Sequence, residues 1–359
     1  MELNQDDLRA ATAAGIIDEK QAARLAALAH QRAGRLGKGL AEDEPFELFS
    51  GFAEIFISVG LVLLISSAVA FATAIGGIVA ITLGLAGLCW FAATYFTLKR
   101  RMSLPSIVLV SGYSMGIGGF FVWIMDKIGL PDDQGWVISL FGLLGIIAML
   151  FHYRTFRVPF SMFIAGVYGL LVVFGLTGTF TTGDMLGNEW ETLFDLRQGG
   201  SLAVGTLIFG LLAFAAGLSF DMRDPHRVGR MARSAFWLHL LAAPALVNTV
   251  MMTVYNVDGA LGTLLTALGL VLITIFALII DRRSFLTAGL GYLAALIFWA
   301  MQLGDNDLSI PTLMLVLGSI VTGLGTFWTA LRVRLMQMLP DFPGKDRLPP
   351  YDDLTHDKE

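Results

Sequence analysis

Residues Phe52–Ile75 read FAEIFISVGLVLLISSAVAFATAI, and beyond Glu54 at the entrance none of them carries a charge. A helix rising about 1.5 Å per residue crosses a bilayer core of roughly 30 Å in such a stretch. A helix that is apolar on every face must be buried in protein or in lipid. Composition decides between the two. The chain is 55% hydrophobic and only 15% charged, against about 25% charged residues in soluble domains. The expected fold class is therefore all-α, a polytopic integral membrane helix bundle.

Nine further apolar stretches follow: Ile78–Leu98, Leu104–Met125, Gly135–Phe151, Val158–Phe180, Gly199–Phe220, Ser234–Val257, Gly259–Ile280, Ser284–Gly304 and Leu308–Leu331. The count of about ten spans is tested by the loops. Of the 24 Lys and Arg residues, only Lys127 and Arg197 fall on the side opposite the N-terminal segment. This is the asymmetry expected when both termini are cytoplasmic. The outer connections instead carry acids, among them Asp126, Asp132, Asp133, Asp305 and Asp307. Leu186, Trp190, Leu193 and Phe194 recur at helical spacing in the loop Thr181–Gln198, which reads as a short interfacial amphipathic segment.

Residues 1–38 read as a small cytoplasmic helical hairpin. A first short helix ends near Gly15. Asp18 can cap a second, with Gln21 three residues on as its capping-box partner. Leu25, Leu28 and Ala29 continue an apolar stripe too small to be stable alone, so the hairpin is expected to pack on a protein partner, on a second copy or on the membrane surface. Residues 39–51 read as a juxtamembrane linker, 52–331 as the ten-span bundle, and 332–359, rich in proline and charge, as a largely disordered cytoplasmic tail. The first 50 residues hold no apolar run of signal-peptide type, so the first span is expected to serve as an uncleaved insertion signal.

Leu8, Gly15, Ile16, Ile17 and Gln21, followed by Phe52, Ile55 and Phe56, form a pattern. It resembles the start of a broad group of bacterial predicted multi-span membrane proteins of unknown function, which open with a cytoplasmic Gly-Ile-Ile…Gln hairpin. The resemblance implies a bacterial plasma (inner) membrane location and carries no activity or site.

Between the interfaces the ten spans hold no Asp, Glu, Lys or Arg, which argues against a proton- or sodium-coupled carrier. His239 is the one ionisable side chain well inside a span. Pro244 frees a backbone carbonyl near Leu240, and Asn248 follows on the same helix. His239, Pro244 and Asn248 are the candidate intramembrane polar site. Gly112-Tyr113-Ser114-Met115-Gly116 matches the nucleophile-elbow pattern, but it lies in an apolar helix where no strand-turn-helix corner can form. Gly112, Gly116 and Gly119 read instead as a close helix-packing face, and Gly84 with Gly87 and Gly142 with Gly145 suggest similar contacts. No zinc pattern, phosphate loop or nucleic-acid patch is present, and no cofactor is implied; the single cysteine, Cys89, lies in an apolar run. The functional expectation is a non-catalytic membrane protein with a hairpin that senses or recruits a partner. The alternative is a permease or exporter of an uncharged or lipid-like solute, built as five plus five inverted spans.

Overall fold

The structure, a computed structural model, describes residues 5–32, 52–75, 77–130, 134–177, 194–198, 200–227, 229–301 and 309–351. Helices are the regular elements among these residues, and no strand is found among them. In chain order the helices are α1 Gln5–Ala13, α2 Glu19–Arg32, α3 Phe52–Ile75, α4 Ile78–Ala93, α5 Ser103–Lys127, α6 Gly135–Phe156 and α7 Phe160–Leu176. They continue as α8 Ser201–Asp221, α9 Arg230–Tyr255, α10 Gly259–Ile280, α11 Arg283–Met301 and α12 Ser309–Met338. Eight of them are long and apolar enough to cross a membrane, and two shorter apolar helices, Phe160–Leu176 and Arg283–Ile297, accompany these.

Several boundaries differ from those the sequence suggests. The stretch Gly135–Phe151 is extended as a helix: α6 runs on to Phe156 and stops where Arg157 takes a left-handed conformation. α9 begins at Arg230, four residues before the apolar run. α12 continues through Arg332 and Arg334 to Met338. Residues 339–351 are held by specific bonds, where a largely disordered tail was expected: Arg332 donates to the carbonyls of Pro349 and Pro350. Hydrophobicity and helical hydrogen bonding have different limits, so α6, α9 and α12 each run past one end of their apolar stretch. The 39–51 linker, loop residues 181–193 and acids Asp132, Asp133, Asp305 and Asp307 lie outside the described residues.

The chain divides into two compact units. One comprises 46–193 and 198–213. Here α4 packs on α5 and α6 on α7, around a core of Leu85, Ala86, Cys89, Leu109, Val110, Tyr113, Met149 and Phe156. Close approach requires glycine on α5. A Cβ at Gly116 would lie 2.7 Å from the backbone N of Ala86 and O of Thr82. One at Gly112 would meet the Cys89 Sγ at 2.6 Å, and one at Gly119 the Thr82 Cγ2 at 2.9 Å. On the facing helix a Cβ at Gly84 or Gly87 would meet nothing within 4 Å among the described residues, so no tight contact of the suggested kind is seen there. Gly142 meets the backbone of Tyr168 and Val172 on α7. Large apolar side chains such as Phe56, Leu63, Phe71, Phe91 and Ile147 stand exposed, on helices that are long and apolar enough to cross a membrane.

The second unit comprises 1–45, 194–197 and 214–359. Its helices are α1, α2, the end of α8, and α9 to α12, with α11 packed on both α9 and α10. α1 and α2 pack on each other through a turn in which Gly15 has φ +71°. The expected capping box is formed: the Gln21 N–H donates to Asp18 Oδ1 at 2.6 Å and the Asp18 N–H to Gln21 Oε1 at 2.9 Å.

Candidate functional site: a buried ionic network at the helix ends

The second unit buries a cluster of charges at the end of α8 and in the junction after α10, against side chains from within α9 and α12. α8 closes at Asp221, and the two-residue junction between α10 and α11 supplies Asp281 and Arg282. Asp281 tolerates its left-handed conformation, φ +56°, because a short polar side chain can bond locally there. That turn sends Arg282, fully buried, back toward α8.

Arg282 grips Asp221 with two prongs. Its Nε donates to Asp221 Oδ2 at 3.1 Å and its Nη2 donates to Oδ1. The same Nη2 donates to the carbonyl of Ala232 on α9 at 3.2 Å. His239, also on α9, completes the node: its Nε2–H donates to Asp221 Oδ2 at 2.9 Å. A carboxylate gripped by a guanidinium can only accept, so the His239 proton sits on Nε2. Its Nδ1 has no partner among the described residues. The ring is enclosed by Phe214 and Phe285, and a Cβ at Gly217 would come within 3.0 Å of it.

A second node surrounds Asp281. Arg227 Nη1 pairs with Asp281 Oδ2 at 3.0 Å while its Nη2 donates to the Asp281 carbonyl at 2.6 Å. Trp328 Nε1 donates to Oδ1 at 2.7 Å. Arg332 lies 3.7 Å from the same oxygen and donates to the Leu278 carbonyl at 3.1 Å. Burial alone would raise the Asp281 pKa, but the charges of Arg227 and then Arg332, with the Trp328 bond, outweigh it and hold the carboxyl below its ordinary value.

Asp224, in the loop after α8, accepts the Ala232 N–H at 3.2 Å. This places a negative charge at the start of α9, where the helix dipole favours it. Gly229 packs closely against it: a Cβ there would meet Asp224 Oδ2 at 2.7 Å, so the carboxylate would have to shift. The N-terminal segment reaches the same loop. Burial raises the Glu19 pKa, and Asp224 and Asp18 raise it further. The His226 pKa is lowered by burial; Asp224 opposes this, Lys20 adds to it and Asp18 opposes it.

The three residues flagged as a polar site part company. His239 joins Asp221 and Arg282. Pro244 lies inside an uninterrupted α9. Asn248 belongs to a separate contact with α11, where Tyr292 OH donates to Asn248 Oδ1 at 2.5 Å. Asp221, Asp281 and Arg282 were missed, because charges next to a loop read as topology determinants. A signal did exist: Asp221, Asp224 and Asp281 are acids in loops otherwise populated by arginine. Ser114 of the elbow-like motif is mid-helix, its Oγ 3.0 Å from the Tyr168 OH. Chemically, the network offers fixed guanidinium–carboxylate forks that lock helix ends together. Among the described residues no group of three or more His, Cys, Asp or Glu is arranged to hold a metal ion.

Comparison with known proteins gave no match: no family model fits the chain, and no curated protein or solved structure matches it.

Proposed function

We propose that this chain is a non-catalytic, ten-span protein of a bacterial inner membrane, with cytoplasmic termini, whose N-terminal helical hairpin recruits or senses a protein partner. One observation carries this reading. On α2, Ala22 and Ala23 are turned inward, at 0% and 6% exposure, while Leu25 and Leu28 each stand 47% exposed and Ile16 in the preceding turn 76%. Exposed apolar side chains gathered on so small a hairpin support a partner-binding role for it.

Further support comes from the bundle. The eight long apolar helices with the two shorter ones make ten, and the placement of all but two of the basic residues then agrees with cytoplasmic termini. Asp224 acts on Glu19, and Lys20 and Asp18 act on His226, which supports a reading in which a partner on the hairpin acts where α8 and α9 are tied. A permease with His239 on its solute path gains no support, because that ring is enclosed by Phe214, Phe285 and Gly217.

The test is site-specific photocrosslinking in native membranes, with a photoreactive phenylalanine at position 25 or 28 and, as control, at the exposed Asp7. A discrete adduct at 25 and 28 but not at 7, abolished by Ile16→Asp, is expected. Identical patterns at all three positions would sink the recruitment reading.

A further inference from the structure

A cavity of about 500 Å³ opens in the second unit between the loop after α8 and the segment that follows α12. Its polar wall is formed by His226, Asp341, Lys345 and Asp346, and Phe342 and Tyr351 supply aromatic faces. Pro225 and Pro350 also line it and bring no backbone N–H donors.

The charge balance of this wall decides what it can hold. The Lys345 ammonium is already engaged: its Nζ donates to the Leu339 carbonyl at 2.8 Å, pairs with Asp341 at 3.3 Å and lies 5.8 Å from the centre of the Tyr351 ring. Burial lowers the His226 pKa, so the imidazole contributes no positive charge at neutral pH. Asp346 has no ion-pair partner among the described residues, and its carboxylate is the unbalanced charge of the wall. A phosphate or carboxylate ligand would meet that charge with no free cation among the lining residues to offset it. A divalent metal would find no set of three ligands among the described residues. An amine or guanidinium suits the wall, because a carboxylate and aromatic faces together recognise organic cations.

We propose that this cavity binds an organic cation through an ammonium or guanidinium group set against Asp346 and flanked by Phe342 and Tyr351. The group comes either from a free polyamine or from the basic side chain of a protein. The site goes beyond the hairpin's proposed role and does not depend on it, since residues 225–226 and 341–351 build it.

The experiment is isothermal titration of the full chain in an uncharged detergent with two probes, spermidine and N-acetyl-arginine-N-methylamide. Saturable binding of one probe per chain is expected for at least one of them. It should weaken at least tenfold in Asp346→Asn and at least threefold in Tyr351→Ala, and persist in Asp126→Asn, which removes the same charge from an exposed position elsewhere. Spermidine binding more tightly identifies a free polyamine as the ligand class; the arginine amide binding more tightly identifies a protein side chain. No saturable binding of either probe overturns the proposal. So does binding that survives Asp346→Asn or falls equally in Asp126→Asn.

Discussion

Glu54 caps a helix that starts at Ser103: its Oε2 accepts the Ser103 N–H at 3.2 Å and the adjacent Leu104 N–H at 3.1 Å. The one charge at the mouth of α3 thus satisfies two of the four orphan donors that open α5, and it stays buried while doing so. Glu54→Ala should cost about 2 kcal/mol, the scale of a hydrogen bond to a charged group. Glu54→Gln should cost less, since an amide oxygen still accepts. Thermal unfolding in detergent measures both, and an alanine variant as stable as the parent would show that the cap does not hold α3 to α5.

Removing Arg282 should be far more damaging. Arg282→Met leaves Asp221 buried without its guanidinium, and breaking a buried pair costs about 3–5 kcal/mol. The double variant Asp221→Leu/Arg282→Met should regain most of that loss, because well-packed apolar groups often replace a buried pair at little cost. Measured non-additivity near zero would mean that the two side chains are not coupled.

The glycines of α4 and α5 should respond oppositely. Gly116→Ala forces backbone atoms of α4 aside and should destabilise by about 1–3 kcal/mol. Gly84→Ala and Gly87→Ala meet no atom within 4 Å and should be neutral, or stabilising by about 0.5–1 kcal/mol through helix propensity. Urea or SDS unfolding of the three variants side by side checks the ranking.

Asp281 gives the network a pH signature. The charges of Arg227 and Arg332 hold its folded-state pKa below the ordinary carboxylate value, so its ionised form stabilises the fold at neutral pH. That contribution is present above the unfolded pKa and is lost as the pH falls through the lower, folded value. The stability gap between the parent and Asp281→Asn should therefore be constant from pH 8 to pH 5 and close below about pH 4. Asparagine keeps the left-handed turn accessible, which isolates the charge. Melting temperatures across that range provide the readout, and a gap that widens in acid would reverse the assignment.

What could be read from the chain beforehand was what local pattern encodes. α3 and α10 have the limits of their apolar runs, because the turn at Gly77 and the one at Asp281 interrupt helix and hydrophobicity together. The Asp18–Gln21 box needed only a three-residue spacing. His239 stood out as an isolated ionisable group in apolar surroundings. Its partners did not, because Asp221 and Arg282 occupy helix ends, where charge is ordinary and where pairing depends on three-dimensional approach. The inward turn of Arg332 was hidden for the same reason: at the rim of a span an arginine pointing to water and one clamping two proline carbonyls have the same sequence signature.

Asp221 and Arg282 are 61 residues apart, and that distance is also an interval of time. At a synthesis rate of about 5–20 residues per second, the acid at the end of α8 emerges some 3–12 s before its cation exists. Throughout that interval the nascent chain carries an unneutralised carboxylate at the edge of an apolar helix. A chain that stalls before Arg282 keeps that carboxylate without its guanidinium.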